Sequence, residues 1–196
     1  MAGAIEIARA FKQGPRSDRT IVFSAWTAEE RGLLGSEYYA DHPWLPLETT
    51  VANFTMDVLQ PNGLARDIVL VGAGQNELDS LLAQKAAGQG RVVTPDAKPE
   101  RGLAFRADHF PFAKRGVPTL LLMGMGGGHD LVIGGREAGD RWVAEFTGKC
   151  YHQACDRWSA TWDLSGAVQD LTLVYQMAGQ LANSRAWPQW NPGSEF

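Results

Sequence analysis

Apolar residues recur along this chain in two rhythms. Ile5, Ala8 and Phe11 stand at helical spacing across Ala2 to Phe11, and Gly14-Pro15 closes that stretch. Thr20 to Ala25 (TIVFSA) is a short β-branched run, which predicts a strand buried on both faces. Leu33 to Ala40 predicts a helix stopped by His42-Pro43. Strands are predicted at Val51 to Val58, closed by the turn signal Pro61-Asn62-Gly63, and at Asp67 to Val71. Leu78 to Ala87 predicts a helix ended by Gly88, and Arg91 to Thr94 predicts another strand. Asp108 to Arg115 reads as a short helix and Val117 to Leu122 as a strand. Asp163 to Ala182 predicts a long terminal helix, with Leu164, Val168, Leu171, Val174 and Tyr175 on one stripe. Met123 to Tyr151 is rich in glycine and reads as a loop, of the kind that lines a site at a sheet's edge. Such alternation predicts the α/β class, with helices packed on a largely buried sheet, and 196 residues predict a single domain.

Composition narrows the function classes. A formal charge of -4 gives no electrostatic footprint for nucleic acid. No apolar run approaches the roughly 20 residues that span a bilayer. The start, MAGAIEIARAFKQG, does not read as a signal peptide, because Glu6 and Arg9 interrupt its apolar pattern. Two cysteines, Cys150 and Cys155, make no framework, and both are expected to be packing residues without a disulfide inside so short a turn. Gly72-Ala73-Gly74 lacks the remainder of a dinucleotide fingerprint, so no nucleotide cofactor is expected. Gly126-Gly127-Gly128-His129 suggests a flexible lip whose amides face an oxyanion. Trp158, Trp162, Trp187 and Trp190 read as packing for the last helix and tail.

The candidate chemistry sits at strand ends. Glu29 and Glu30 directly follow the first predicted strand, where open α/β sheets place their ligands. An adjacent acidic pair is also an ordinary solvated surface feature. At a strand tip, one carboxylate suits a metal and its neighbour suits a base on water. Asp57 ends the next strand, where an aspartate otherwise forms a turn. His152, on a loop, completes an oxygen, oxygen, nitrogen donor set suited to zinc.

At this point the chain resembles a known family. TIVFSAWTAEERGLLGSEYYA looks like the metal-binding segment of the co-catalytic zinc aminopeptidases, a group that includes bacterial leucyl aminopeptidases and glutamate carboxypeptidase, and whose fold glutaminyl cyclases share. The likeness continues in NFTMD, in RADHFPFAKRGVP and in YHQACDRWS with the WDLSGAVQDL helix, in the same order. The resemblance implies a three-layer sandwich, with a mixed, mostly parallel sheet between helices and the first strands missing. It implies Glu29 as the general base toward zinc-bound water, Glu30 and His152 as ligands of one zinc, and Asp57 as a ligand of the other. It places Asp108 and His109 on the substrate side, with His129 and Tyr151 as further pocket residues. Ala107 stands where the family usually has serine, which alters local substrate contacts. Family members also carry a histidine-containing strand and a bridging aspartate shortly before a helix like Met1 to Phe11, and neither residue is present here. Zinc is therefore expected to bind weakly or not at all, with low or absent peptidase activity. Uncovered strands are expected to drive homo-oligomer formation.

Two rival readings stand beside this one. The first is a metal-independent esterase for short-chain esters. Its nucleophile would be Ser36, with His109, His129 or His152 as bases and Asp108 or Asp130 beside two of them. No G-x-S-x-G elbow supports it. The second is an inactive binding or scaffold module. The expected partner in the enzymatic readings is a small peptide or ester, with neither nucleic acid nor membrane.

Overall fold

The computed structural model describes residues 1–196. Four strands form its sheet: β1 (Asn53–Met56), β2 (Asp67–Val71), β3 (Val92–Pro95) and β4 (Thr119–Leu122), in the spatial order β1-β4-β2-β3. β1 runs parallel to β4 and β2 parallel to β3, while β2 and β4 are antiparallel. The sheet is therefore mixed and mostly parallel. Every residue of the central strands β2 and β4 is buried, which is why both read as apolar runs after their first residues, Asp67 and Thr119.

Successive side chains on a strand alternate between faces, and this divides the core in two. Ile68, Leu70, Leu120 and Leu122 face one way. They meet Ile7 of α1 (Ala2–Gln13), Leu78 and Leu82 of α3 (Leu78–Gly88), and Leu173 and Met177 of α6 (Ser165–Ala182). Val71, Leu121 and Met123 face the other way, toward Leu103, Ala107 and Met125. Two shorter helices, α2 (Leu34–Asp41) and α4 (Phe110–Ala113), complete the side next to the candidate site. No helix is long and apolar enough to cross a membrane.

Two elements differ from the sequence expectation. Thr20 to Ala25 forms no strand. It runs without regular secondary structure and leaves Val22 44% and Phe23 42% exposed. A β-branched run becomes a strand only beside an edge about 5 Å away. Here no strand pairs with it, and a cavity of ≈ 710 Å³ is lined by Ile21 and Phe23 of the segment together with Phe54 and Met56 of β1. The segment is held at its ends instead: Arg19 N donates to Ala182 O at 2.8 Å, and Trp26 packs on Tyr39 and Phe112.

The expected glycine-rich loop likewise contains a helix, α5 (Gly135–Glu145), continued by a π turn over Phe146–Cys150. Its glycines suggest irregular chain because their reason is tertiary. A Cβ on Gly139 would lie 2.1 Å from His129 O, so only glycine lets the helix approach that strand of backbone.

A buried polar network ties the layers together. Arg91 and Asp170 pair at 2.7 Å with their side chains only 1% and 4% exposed. Burial raises the Asp170 carboxyl to about 6, and the Arg91 charge opposes that rise. Arg91 Nε also donates to Asp67 O at 3.2 Å. The Asp67 carboxylate accepts from Asp130 N and Thr94 Oγ1, each at 2.8 Å, and from Arg136.

Candidate active site

Local backbone geometry sets the acidic pair. Ala28 (φ 55) and Leu33 (φ 58) both take the left-handed conformation and bracket a single 3₁₀ turn, Glu29–Arg31. Gly32 N and Leu33 N both donate to Glu29 O, at 3.0 and 2.8 Å. Gly35 N donates to Thr27 O at 3.0 Å, and a Cβ there would lie 2.6 Å from that oxygen, so the turn requires glycine. This compact fold of the chain projects Glu29 and Glu30 toward the end of β1. Asp57 follows β1 directly, anchored by its N–H to Leu122 O at 3.1 Å.

His152 arrives from the far side of the chain. Its Nε2 lies 2.7 Å from Glu30 Oε1, and its ring stacks on Tyr151 with centroids 3.8 Å apart. Its backbone is left-handed, at φ 60. Ser36 completes the group from below. Its hydroxyl lies 2.6 Å from Asp108 Oδ1 and 3.0 Å from Leu33 O.

These carboxylates feel one another. Burial is the largest influence on Glu29, and the negative charges of Glu30, Asp57 and Asp108 add to it, lifting the carboxyl to about 7 against the opposing effect of His152. Asp57 reaches solvent at the rim, yet the protein crowds its carboxyl. Burial, then Asp108 and Glu30, raise it as well. Asp108 is raised by burial and restrained by the Ser36 hydrogen bond. Burial and the nearby charges of Glu30 and Asp57 raise the Tyr151 phenol. A cluster of this sign favours a cation, a proton or a protonated amine among its members.

Glu29, Glu30, Asp57, Asp108, Tyr151 and His152 therefore share one site. His109 and His129 do not open into it. His109 is 6% exposed, and burial lowers its imidazole to about 4. His129 is 3% exposed and sits with Asp67, Arg91 and Arg136, also lowered to about 4 by burial. Both were expected as pocket residues, but their rings serve the interior. Ser36 is 0% exposed and faces a carboxylate, not an imidazole. A serine so placed lacks both access to substrate and a base to activate it, which removes the basis of the esterase reading.

Cys150 and Cys155 correct another expectation, since they form a disulfide with Cα atoms 5.2 Å apart. The left-handed turn at His152 folds the two ends of the segment together, which spacing alone does not reveal. Sequence reasoning also missed Ser36 as the partner of Asp108. The only signal for it was its position in the first turn of α2, just after the turn that carries the glutamates.

Two known aminopeptidases are similar to this chain. The chain is 30% identical over 126 residues to aminopeptidase YwaD from Bacillus subtilis (strain 168), a match covering 59% of this chain and 25% of that protein. Its fold is similar to that of the aminopeptidase from Aneurinibacillus sp. strain AM-1, with a TM-score of 0.58 at 19% identity over 95% of this chain and 39% of that one. The chain thus spans a quarter of the length of one relative and about two-fifths of the other. The description "Peptidase family M28" matches residues 1–176, which takes in all the site residues, and the chain belongs to that family.

Proposed function

We propose that this chain is a peptidase-type hydrolase that removes residues from the amino-terminal end of peptides. The observation that carries this reading is the meeting of Glu29, Glu30, Asp57 and Asp108 with His152 at the end of β1, with His152 Nε2 2.7 Å from Glu30. The family and both relatives support the class of reaction. The net negative field of the site suits a protonated amino terminus, so Asp57 and Asp108 orient an unblocked peptide with its first bond beside Glu29. Glu29 takes a proton from the attacking water and returns it to the departing amine. Tyr151, held beside Glu30 by its stack on His152, presents a phenolic O–H toward the developing oxyanion.

The family implies zinc, and the donor set fits one such ion in part. Glu30 and His152 are already within contact of each other, and the negative charges of Glu30, Asp57 and Asp108 crowd Glu29. No three histidine, cysteine, aspartate or glutamate side chains converge on one point. Zinc would thus be held by Glu30 and His152, where it would polarise a carbonyl or water. Catalytic zinc takes three protein ligands, so two give weak affinity and a low rate.

The test is a peptide offered with a free and with an acetylated amino terminus, followed by mass spectrometry. Stepwise loss of the first residue from the free peptide alone is expected. Internal cleavage, or equal cleavage of both peptides, would contradict the proposal.

A further inference from the structure

The segment carrying His152 has little packing to hold it. Every residue from His152 to Trp158 is exposed. Its backbone hydrogen bonds are short-range, including Gln153 N to Cys150 O at 2.8 Å and Asp156 N to Gln153 O at 2.9 Å. His152 nonetheless holds φ 60, a conformation that costs a non-glycine residue ~1 kcal/mol or more. Such a residue stays there only when its surroundings over-determine it. Buried neighbours do not provide that constraint here, because the ring itself is 46% exposed as a side chain.

Beyond its contacts with Glu30 and Tyr151, the segment carries a covalent constraint. Cys150 and Cys155 are joined across His152, which closes residues 150 to 155 into a small ring. One end of the ring is fixed to the body of the protein. Cys150 ends the π turn Phe146–Cys150, whose Phe146 stacks on Trp142 of α5 at 5.3 Å and packs against Tyr151 at 5.9 Å. Tyr151 N donates to Phe146 O at 2.8 Å. The free end of the loop is thereby tied back to the fixed end, and the only residues between are those that form the turn.

We propose that the Cys150–Cys155 disulfide is a positioning device for the reaction. It holds His152 in its left-handed turn with the imidazole against Glu30, and its reduction releases His152 from the site. A dithiol is the reductant: its two sulfurs form a new S–S bond, the Cys150–Cys155 bond breaks, and two electrons and two protons end on the cysteine thiols. A low-molecular-weight disulfide reverses the change: its S–S bond breaks to two thiols as the Cys150–Cys155 bond re-forms. The disulfide acts through His152 and touches no reacting atom. This inference uses the proposed function only in treating Glu30 and His152 as joint zinc ligands.

The first arm of the test needs no metal. NMR of the metal-free protein reads His152 directly, since its ring protons lie over Tyr151. The oxidised protein is expected to show ring-current-shifted His152 signals and cross-peaks to Tyr151. Dithiothreitol, or the C150A/C155A double variant, should remove both features while the amides of Leu122 and Leu173 stay protected from exchange. Dithiothreitol should have no further effect on the double variant. The second arm is zinc titration by calorimetry, where the double variant should bind about tenfold more weakly, the size of effect seen when the partners that orient metal ligands are removed. Unchanged His152 signals in all three states would overturn the proposal. So would loss of protection throughout the core, which would make the disulfide a general staple. Absence of zinc binding in both proteins would sink the metal reading alone, and the NMR arm would still decide this one.

Discussion

Glutamine in place of Glu29 is expected to lower kcat/KM for an aminoacyl p-nitroanilide by ~10³-fold, within the ~10²–10⁴ that a general base contributes. Glutamine matches the size of glutamate and keeps an acceptor oxygen, but it cannot take up a proton from water. The same change should leave the protein no less stable. Glu29 is crowded by Glu30, Asp57 and Asp108, and its ionised form is disfavoured in the folded state. Removing that charge relieves repulsion, so thermal melting at pH 8 should be unchanged or slightly higher. The paired outcome separates a catalytic role from a structural one. A variant that keeps its rate, or that loses its rate because it melts, would remove Glu29 from the reaction.

The largest effect on stability is expected at Asp170. Alanine there leaves Arg91 charged and without its carboxylate partner at a site where both side chains are almost wholly buried. Breaking such a pair costs about 3–5 kcal/mol, and urea unfolding should read a loss of that size. The double change Arg91→Met with Asp170→Leu should recover part of it, because the apolar pair needs no solvation but leaves Asp67 O without its Arg91 donor. Exposed pairs behave differently. Glu37 meets Lys114 and Arg115 on the surface, and Glu37→Ala should cost about 1 kcal/mol or less. Equal losses at Asp170 and Glu37 would show that the buried network does not carry the weight assigned to it.

The sequence displays what is local. The helices at Ala2–Gln13, Leu78–Gly88 and Ser165–Ala182 follow from apolar spacing, and β2 and β4 follow from apolar runs. Thr20 to Ala25 has the same composition as a strand but no edge beside it, since pairing belongs to two segments and only one is visible in a local pattern. α5 was hidden by Gly134 and Gly135, which take the left-handed conformation at its start, and by Gly139, which allows close approach of the His129 backbone. The site divides similarly. Glu29, Glu30 and Asp57 were legible because they end predicted strands. His152, 122 positions beyond Glu30, joined them only through donor chemistry, as a loop nitrogen completing two acidic strand ends, and the family resemblance implied the same role. Nothing in the sequence distinguishes the exposed His152 from the buried His109 and His129, because burial is decided by the packing of distant elements. The disulfide was invisible for the related reason that it depends on one left-handed residue.

In the reading we propose, a metal would be held by Glu30 and His152 and would act together with Glu29 as base at one site. The most direct measurement is the rate on a panel of aminoacyl p-nitroanilides after chelation and then during zinc titration, for the unaltered protein and for His152→Ala. Activity abolished by chelator, restored by zinc in the unaltered protein and not restored in His152→Ala is the predicted result. Hydrolysis indifferent to chelator, or restored equally in both proteins, would contradict the account.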